Sequence, residues 1–238
     1  MLWIIPMADK GTRTQALGEF KPFIEINGCK IFSWFISSIK HNIKIKDEFL
    51  LITLDYFAQK YSFDIEVKKI FNQYKLNNKI KIIKIKKTPN GTSSTIYLAK
   101  PLLKRDTPSV IANPDQYINF ELPKHIERNS CYVPVYANLG NKAGYVVIKN
   151  GLIFKIVEKK NISNLASAGI YIISSSKDLI YAVERQFNEQ LAKDGEFYLS
   201  EALNYLKEKD YKIFPLEVRA KYNLGTPAEI SYFQKVMK

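Results

Sequence analysis

The sequence predicts an α/β fold with a mixed, mostly parallel sheet and an antiparallel β extension. Three observations carry this. Short apolar runs alternate with segments of helical period through the first half of the chain, which is the rhythm of parallel strands joined by helices. The apolar runs empty into polar loops, several of them holding glycine. Three β-rich runs then follow one another between residues 131 and 158 with no helical period between them.

Leu2 to Ile5 is an uninterrupted apolar run and reads as a buried strand. The loop after it, Met7 to Glu19, holds Gly11 and Arg13 and leads to Lys21-Pro22. Phe23 to Ile26 is a short strand closed by the Asn27-Gly28 turn signal. Ile31, Trp34, Phe35 and Ile39 recur at helical spacing, as do Val67, Ile70, Phe71 and Tyr74. Phe49 to Thr53 and Ile80 to Ile85 are strands, and Thr88-Pro89-Asn90-Gly91-Thr92 breaks the chain before a helix expected from about Ser93 to Leu103. Ser109 to Ala112 is a strand ending in Asn113-Pro114-Asp115-Gln116.

The β-rich runs are Cys131 to Ala137, Gly144 to Lys149 and Leu152 to Glu158, the last two joined by Asn150-Gly151, a type I′ hairpin signal. Gly169 to Ile173 and Lys212 to Val218 are further strands; Lys177 to about Leu191 and Tyr198 to Lys207 are helices; Pro227 opens a terminal helix. No repeat or linker interrupts the pattern, so residues 1–238 are expected to form one domain with a β-rich extension at about 131–160.

At 238 residues the chain can bury a large core. No run reaches the roughly 18 apolar residues that cross a membrane, and no signal peptide is visible. Cys29 and Cys131 stand apart, as in a reducing compartment, which points to the cytoplasm. The net charge of +13 raises nucleic acid as a partner, but the lysines of Lys79 to Lys87 alternate with isoleucine as on a strand's solvent face, and no nucleic-acid motif is present. With only His41 and His125, a histidine triad or histidine-rich metal site is disfavoured.

Polar residues recur instead at strand ends: Gly11 to Arg13, Gly91-Thr92, Asp115, Glu158-Lys159 and Asn223 to Thr226. In an open α/β sheet these ends share the ligand-binding edge. Glycine lets backbone N–H groups reach an anion, cations offset its charge, and one acid suits a hard divalent ion. Such a site serves phosphoryl-type transfer, where positioning and charge neutralisation do most of the catalysis.

IIPMADKGTR followed by FKPFIEING resembles the opening signature of the sugar-1-phosphate nucleotidylyltransferases, and the likeness continues in order through PNGTSST, VIANPDQYI, IVEKKNISNLASAGIYII, GEFYLSEALNYL and LGTPAEISYF. It spans nearly the whole chain. The resemblance implies a Rossmann-like three-layer nucleotidyltransferase fold and a Mg²⁺-dependent reaction in which an NTP and a phosphorylated small molecule give an NDP-linked product and pyrophosphate. Within the family the chain most resembles the phosphoglutamine cytidylyltransferases of capsule synthesis, which implies CTP and L-glutamine phosphate. Sugar 1-phosphates and phosphocholine remain open as acceptors.

The resemblance also implies roles. Arg13 and Lys21 map onto the catalytic cations, with Ala8, Gly11, Thr12, Asn90, Gly91, Thr92 and Asp115 about the nucleotide and Gly91 where a side chain would obstruct the base. Asp115 and Asn223 map onto the metal ligands; Glu158, Lys159, Gly169 and Glu196 map onto the acceptor site, which Tyr198 and Ser200 border. Two positions depart from the family: Asp9 stands where the loop usually has glycine, and Asn223 where an aspartate is usual. Asp9 must point away, help hold a metal or weaken binding. Three other readings stand beside the enzyme: a nucleotide-binding homologue without catalysis, a metal-dependent glycosyltransferase and a nucleic-acid binder.

Overall fold

The structure is a computed structural model that describes residues 1–9, 11, 14–103, 106–140 and 142–237. In chain order the elements are β1 (Leu2–Met7), β2 (Glu25–Ile26), β3 (Cys29–Lys30), α1 (Ile31–Ile39), β4 (Glu48–Leu54), α2 (Asp55–Lys60), α3 (Phe63–Gln73), β5 (Lys79–Ile85) and α4 (Thr92–Tyr97). They continue with β6 (Ser109–Ala112), β7 (Gln116–Phe120), β8 (Ser130–Ala137), β9 (Gly144–Lys149), β10 (Leu152–Glu158), β11 (Leu165–Ser167), β12 (Ile170–Ile173), α5 (Ser176–Asn188), α6 (Leu199–Ala202), β13 (Lys212–Asn223) and α7 (Pro227–Val236).

Two compact units result. One is Met1–Ile4, Pro89–Ala112 and Glu121–Glu217; the other is Ile5–Thr88, Asn113–Phe120 and Val218–Lys238. In the first, the strand order is β10-β9-β11-β8-β12-β6-β1. Leu2 lies parallel to Ser109 of β6, whereas β12 meets β6 and β8 antiparallel. The expected β extension is present: β9 and β10 pair antiparallel across Asn150 (φ 50°) and Gly151 (φ 76°), both positive as a type I′ turn requires. Lys212 to Glu217 of β13 run parallel to β8. Helix α5 is capped by Ser175, whose hydroxyl accepts the Asp178 N–H at 3.1 Å and so satisfies one orphan donor of the first turn.

In the second unit β4 is parallel to β5, and β1 neighbours β4. Phe49 to Leu54 are all buried, as a strand covered on both faces demands. β5 takes the outer place; its exposed lysines, Lys79, Lys81 and Lys84, guard the edge against further pairing. The rest of β13 turns to β7, antiparallel, with Asn223 opposite Gln116. Helix α7 opens with Pro227 after Thr226, whose hydroxyl accepts the Glu229 N–H at 3.3 Å.

Some elements differ from the expected ones. The helix expected over 93–103 stops at Tyr97 and resumes as a 3₁₀ turn, Lys100–Leu102, because Pro101 has no N–H to continue the ladder. The helix expected over 198–207 is α6 followed by a 3₁₀ stretch, Leu203–Lys209. There the Asn204 side chain donates to the Glu201 carbonyl at 2.9 Å, competing for an acceptor the α-helix would use. β7, β11 and α2 are additional, and β13 extends past Val218 to Asn223. No helix among the described residues is long and apolar enough to cross a membrane.

Candidate active site

The second unit gathers the loop after β1, the Lys21 turn, Asp115 and the end of β13. Lys21 heads a 3₁₀ turn, Lys21–Phe23, held by its aromatic neighbours: the Phe20 ring lies 4.7 Å from that of Phe57, and Phe23 stacks on Phe63 at 5.5 Å. These rings anchor the turn, so the lysine between them has little freedom. Its residue is 6 % exposed, and its Nζ lies 3.3 Å from Asp115 Oδ2. Gly11 sits against the Lys21 stem at φ +59°; a Cβ there would come within 3.3 Å of Lys21 Cβ and of Thr14 Oγ1. Thr14 is wholly buried and its hydroxyl donates to the Gly11 carbonyl at 3.0 Å, closing the loop on itself. Ala8 is buried at the loop's start. Thr12 and Arg13 lie outside the described residues.

The two departures have distinct geometries. Asp9 turns into the loop, where its Oδ1 accepts the Gly11 N–H at 3.3 Å, the place an anion's oxygen would take. Asn223 is exposed and its side-chain oxygen accepts a hydrogen bond from Lys221 Nζ. Burial pushes the Lys221 ammonium down to about 8, against the opposing pull of the nearby Asp115 and Glu229 carboxylates. Nothing in the sequence distinguished this lysine among the 36 basic residues; its place beside Asp115 comes from the return of β13 along β7. The Asp115 carbonyl fixes that junction by accepting the Leu224 N–H at 2.8 Å.

Among the described residues no group of three or more His, Cys, Asp or Glu side chains could hold a metal. One carboxylate and one amide oxygen, with ammonium groups beside them, fit magnesium that arrives with a polyphosphate and takes most of its ligands from it. They do not fit a resident ion. The same unit has a cavity of about 560 Å³ lined by Gln15, Glu19, Leu54, Tyr56, Lys87 and Thr88, among others. Glu19 is tied there to Lys60 at 2.5 Å.

The first unit holds a second constellation. Glu158 ends β10 with its carboxylate folded onto Ser200, whose hydroxyl donates to Oε2 at 2.5 Å. Burial raises the Glu158 pKa above the usual carboxylate value, the Ser200 bond opposes this, and neighbouring Glu201 adds to it. Gly144 makes room for the arrangement, since a Cβ there would lie 2.7 Å from Glu158 Oε2. Lys159, at φ 52°, reaches Asp194 at 3.0 Å and lies over the Tyr198 ring at 4.8 Å. Tyr198 first, then Asp194, holds its ammonium above the ordinary lysine value.

Asp194 is presented by a tight turn with Gly195, at φ 53° and 78°, closed by Lys193 N–H to Glu196 O at 2.9 Å. The Asp-Gly pair was a readable turn signal. Glu196 is exposed and accepts the Tyr198 hydroxyl; Gly169, at φ 71°, donates its N–H to Ser167 Oγ at 3.1 Å where β11 passes into β12. Asn90 accepts the Phe197 N–H at 3.0 Å, and Ser93, next to Thr92, donates to Phe197 O at 3.0 Å. Gly91 lies between these bonds at φ +89°, and a Cβ there would meet Phe197 O at 2.5 Å. The glycine is thus required by the chain's own backbone.

No protein-family model matches the chain, and no curated protein does. Solved structures do. The nucleoside-diphosphate-sugar pyrophosphorylase from Vibrio cholerae RC9 superposes with a TM-score of 0.85 at 20% identity, covering 99% of this chain and 100% of its own. The CTP:phosphocholine cytidylyltransferase from Streptococcus pneumoniae gives 0.72 at 14% identity, covering 100% and 99%. The inositol-1-phosphate CTP transferase from T. maritima gives 0.71 at 15% identity, covering 99% and 94%. The chain therefore has the three-layer, Rossmann-like α/β fold of these nucleotidyltransferases, with a mixed central sheet.

Proposed function

We propose that the chain is a nucleotidyltransferase, a single catalytic domain of the cytoplasm that joins the NMP of an NTP to a phosphorylated small molecule. The favoured pair is CTP and L-glutamine phosphate, for capsule phosphoramidate synthesis. One observation carries the reading: a lysine buried on an aromatic anchor beside a glycine loop and paired with Asp115, in a fold shared with enzymes of this chemistry. The base and the acceptor rest on the sequence resemblance.

An acceptor phosphate oxygen attacks the α-phosphorus; the bond from the α-phosphorus to its bridging oxygen breaks, and pyrophosphate leaves with that electron pair. Lys21 is held where its ammonium can follow charge onto the α-phosphate without reorganising. Gly11 and the loop N–H groups receive the triphosphate once Asp9 yields the Gly11 N–H, and Arg13, by its place in that loop, takes the leaving pyrophosphate. Thr12 flanks it. The nucleoside enters the cavity beside Gln15 and Tyr56; a base-side role for Asn90, Gly91 and Thr92 rests on the sequence resemblance alone. Asp115, with Asn223, would hold magnesium, which supplies charge neutralisation to the phosphate oxygens.

Lys159 pairs with the acceptor phosphate. Glu158 and Glu196 offer carboxylates to the acceptor's polar end, beside Gly169. The test is pyrophosphate release with Mg²⁺ for five NTPs against L-glutamine phosphate, phosphocholine and several sugar 1-phosphates. Release that requires CTP and L-glutamine phosphate supports the full reading. Release with another acceptor keeps the enzyme class and replaces the substrate. Absence of both release and nucleotide binding overturns it.

A further inference from the structure

We propose that Lys221 is a second phosphate-binding lysine, which with Lys21 clamps the polyphosphate of the nucleotide across Asp115. This rests on the nucleotidyltransferase reading and adds a binding residue to it. Lys221 lies in β13 two residues before its end, and its ammonium points along the strand to Asn223, toward the same junction that holds Asp115 and Lys21. The junction lies beyond the end of β13 and the start of β7, where the Asp115 carbonyl binds the Leu224 N–H.

The charges at this junction decide what it can bind. Lys21 pairs with Asp115, Lys221 reaches the neutral amide of Asn223, and the Asp115 charge acts on Lys221 as well. Glu229 also faces Lys221, but its Oε2 already accepts the Gly225 N–H at 3.1 Å and the Thr226 hydroxyl at 2.9 Å at the start of α7. So few acidic oxygens beside two lysines make a poor cage for a bare divalent cation and a good one for a chain of phosphates.

The test titrates the full chain with inorganic tripolyphosphate in EDTA by calorimetry, then with CTP with and without Mg²⁺. Wild type should bind tripolyphosphate without metal. Lys221→Met should weaken it about tenfold or more, at the size of one lost charge-assisted contact, and Lys221→Arg should restore most of the loss. Asn223→Asp, which keeps the lysine but neutralises it, should weaken binding in EDTA and strengthen the Mg²⁺-dependent part. A purely structural lysine would lower the melting temperature of Lys221→Met and leave tripolyphosphate affinity unchanged, which overturns the proposal. If CTP binds wild type and both Lys221→Met and Asn223→Asp equally well, this inference fails while the enzyme reading survives. If wild type binds neither CTP nor tripolyphosphate, both fail.

Discussion

Replacing Lys21 by methionine separates the chemistry of the site from its stability. Lys21 is nearly buried and its Nζ is 3.3 Å from Asp115 Oδ2, so the change removes one partner of an ion pair. Breaking a fully buried pair costs about 3–5 kcal/mol because the other charge is stranded. Asp115 is not stranded: its side chain is 32% exposed, and the Lys221 ammonium is near enough to feel it. Methionine also keeps the apolar stem against Gly11. The stability cost should therefore fall to about 1 kcal/mol, or about 2–4 °C in melting temperature for a chain of this size. The catalytic cost is larger, since losing one preorganised donor to the transition state costs about 2.7–4 kcal/mol, roughly 10²–10³ in kcat. Calorimetric melting and single-turnover pyrophosphate release on the same preparation check both numbers. A variant that keeps more than about a tenth of wild-type kcat, or that loses activity only because it melts near the assay temperature, refutes the reasoning.

Three further outcomes follow from particular contacts. Gly91→Ala should destabilise the fold by about 2–4 kcal/mol, because its Cβ would meet Phe197 O at 2.5 Å on a backbone at φ +89°; an unchanged melting temperature would contradict that packing. Asp9→Gly should tighten CTP binding in calorimetry by freeing the Gly11 N–H and removing a carboxylate from the loop, and weaker binding would show that Asp9 assists the ligand. Glu158→Gln should be more stable than wild type at neutral pH, because burial raises the Glu158 pKa and the folded state therefore resists its ionisation. The advantage is absent below the unfolded carboxyl value, grows as pH rises from there through the folded pKa, and is then constant. Melting curves from pH 4 to pH 8 that run parallel would contradict it.

The parallel core strands were legible because each is a continuous apolar run: Phe49 to Thr53 and Ser109 to Ala112 lie where that texture places them. The Asn-Gly hairpins were legible because those residues tolerate positive φ. β7 was hidden by the polar Asn113-Pro114-Asp115 run, and the last half of β13 by Arg219, Lys221 and Asn223, whose strand form depends on pairing with β7 rather than on their own propensities. At the site, Lys21 and Asp115 could be singled out from glycine, proline and strand-end signals, and the structure pairs them. Lys221 and Gly144 could not, because their importance lies in contacts made between distant strands and loops; the Asp194-Gly195 turn was legible as a turn, but its ion pair with Lys159 was not. Gly91 was legible as a special position, yet its neighbour, the Phe197 backbone, is about a hundred residues away in sequence.

The most direct test of the central claim is the ³¹P NMR spectrum of a reaction holding the enzyme, CTP, Mg²⁺ and L-glutamine phosphate. The account predicts a pair of mutually coupled resonances from the new diphosphate bridge, appearing together with free pyrophosphate and missing with Lys21→Met. Formation of CDP and inorganic phosphate instead, or a bridge formed equally well by Lys21→Met, would contradict it.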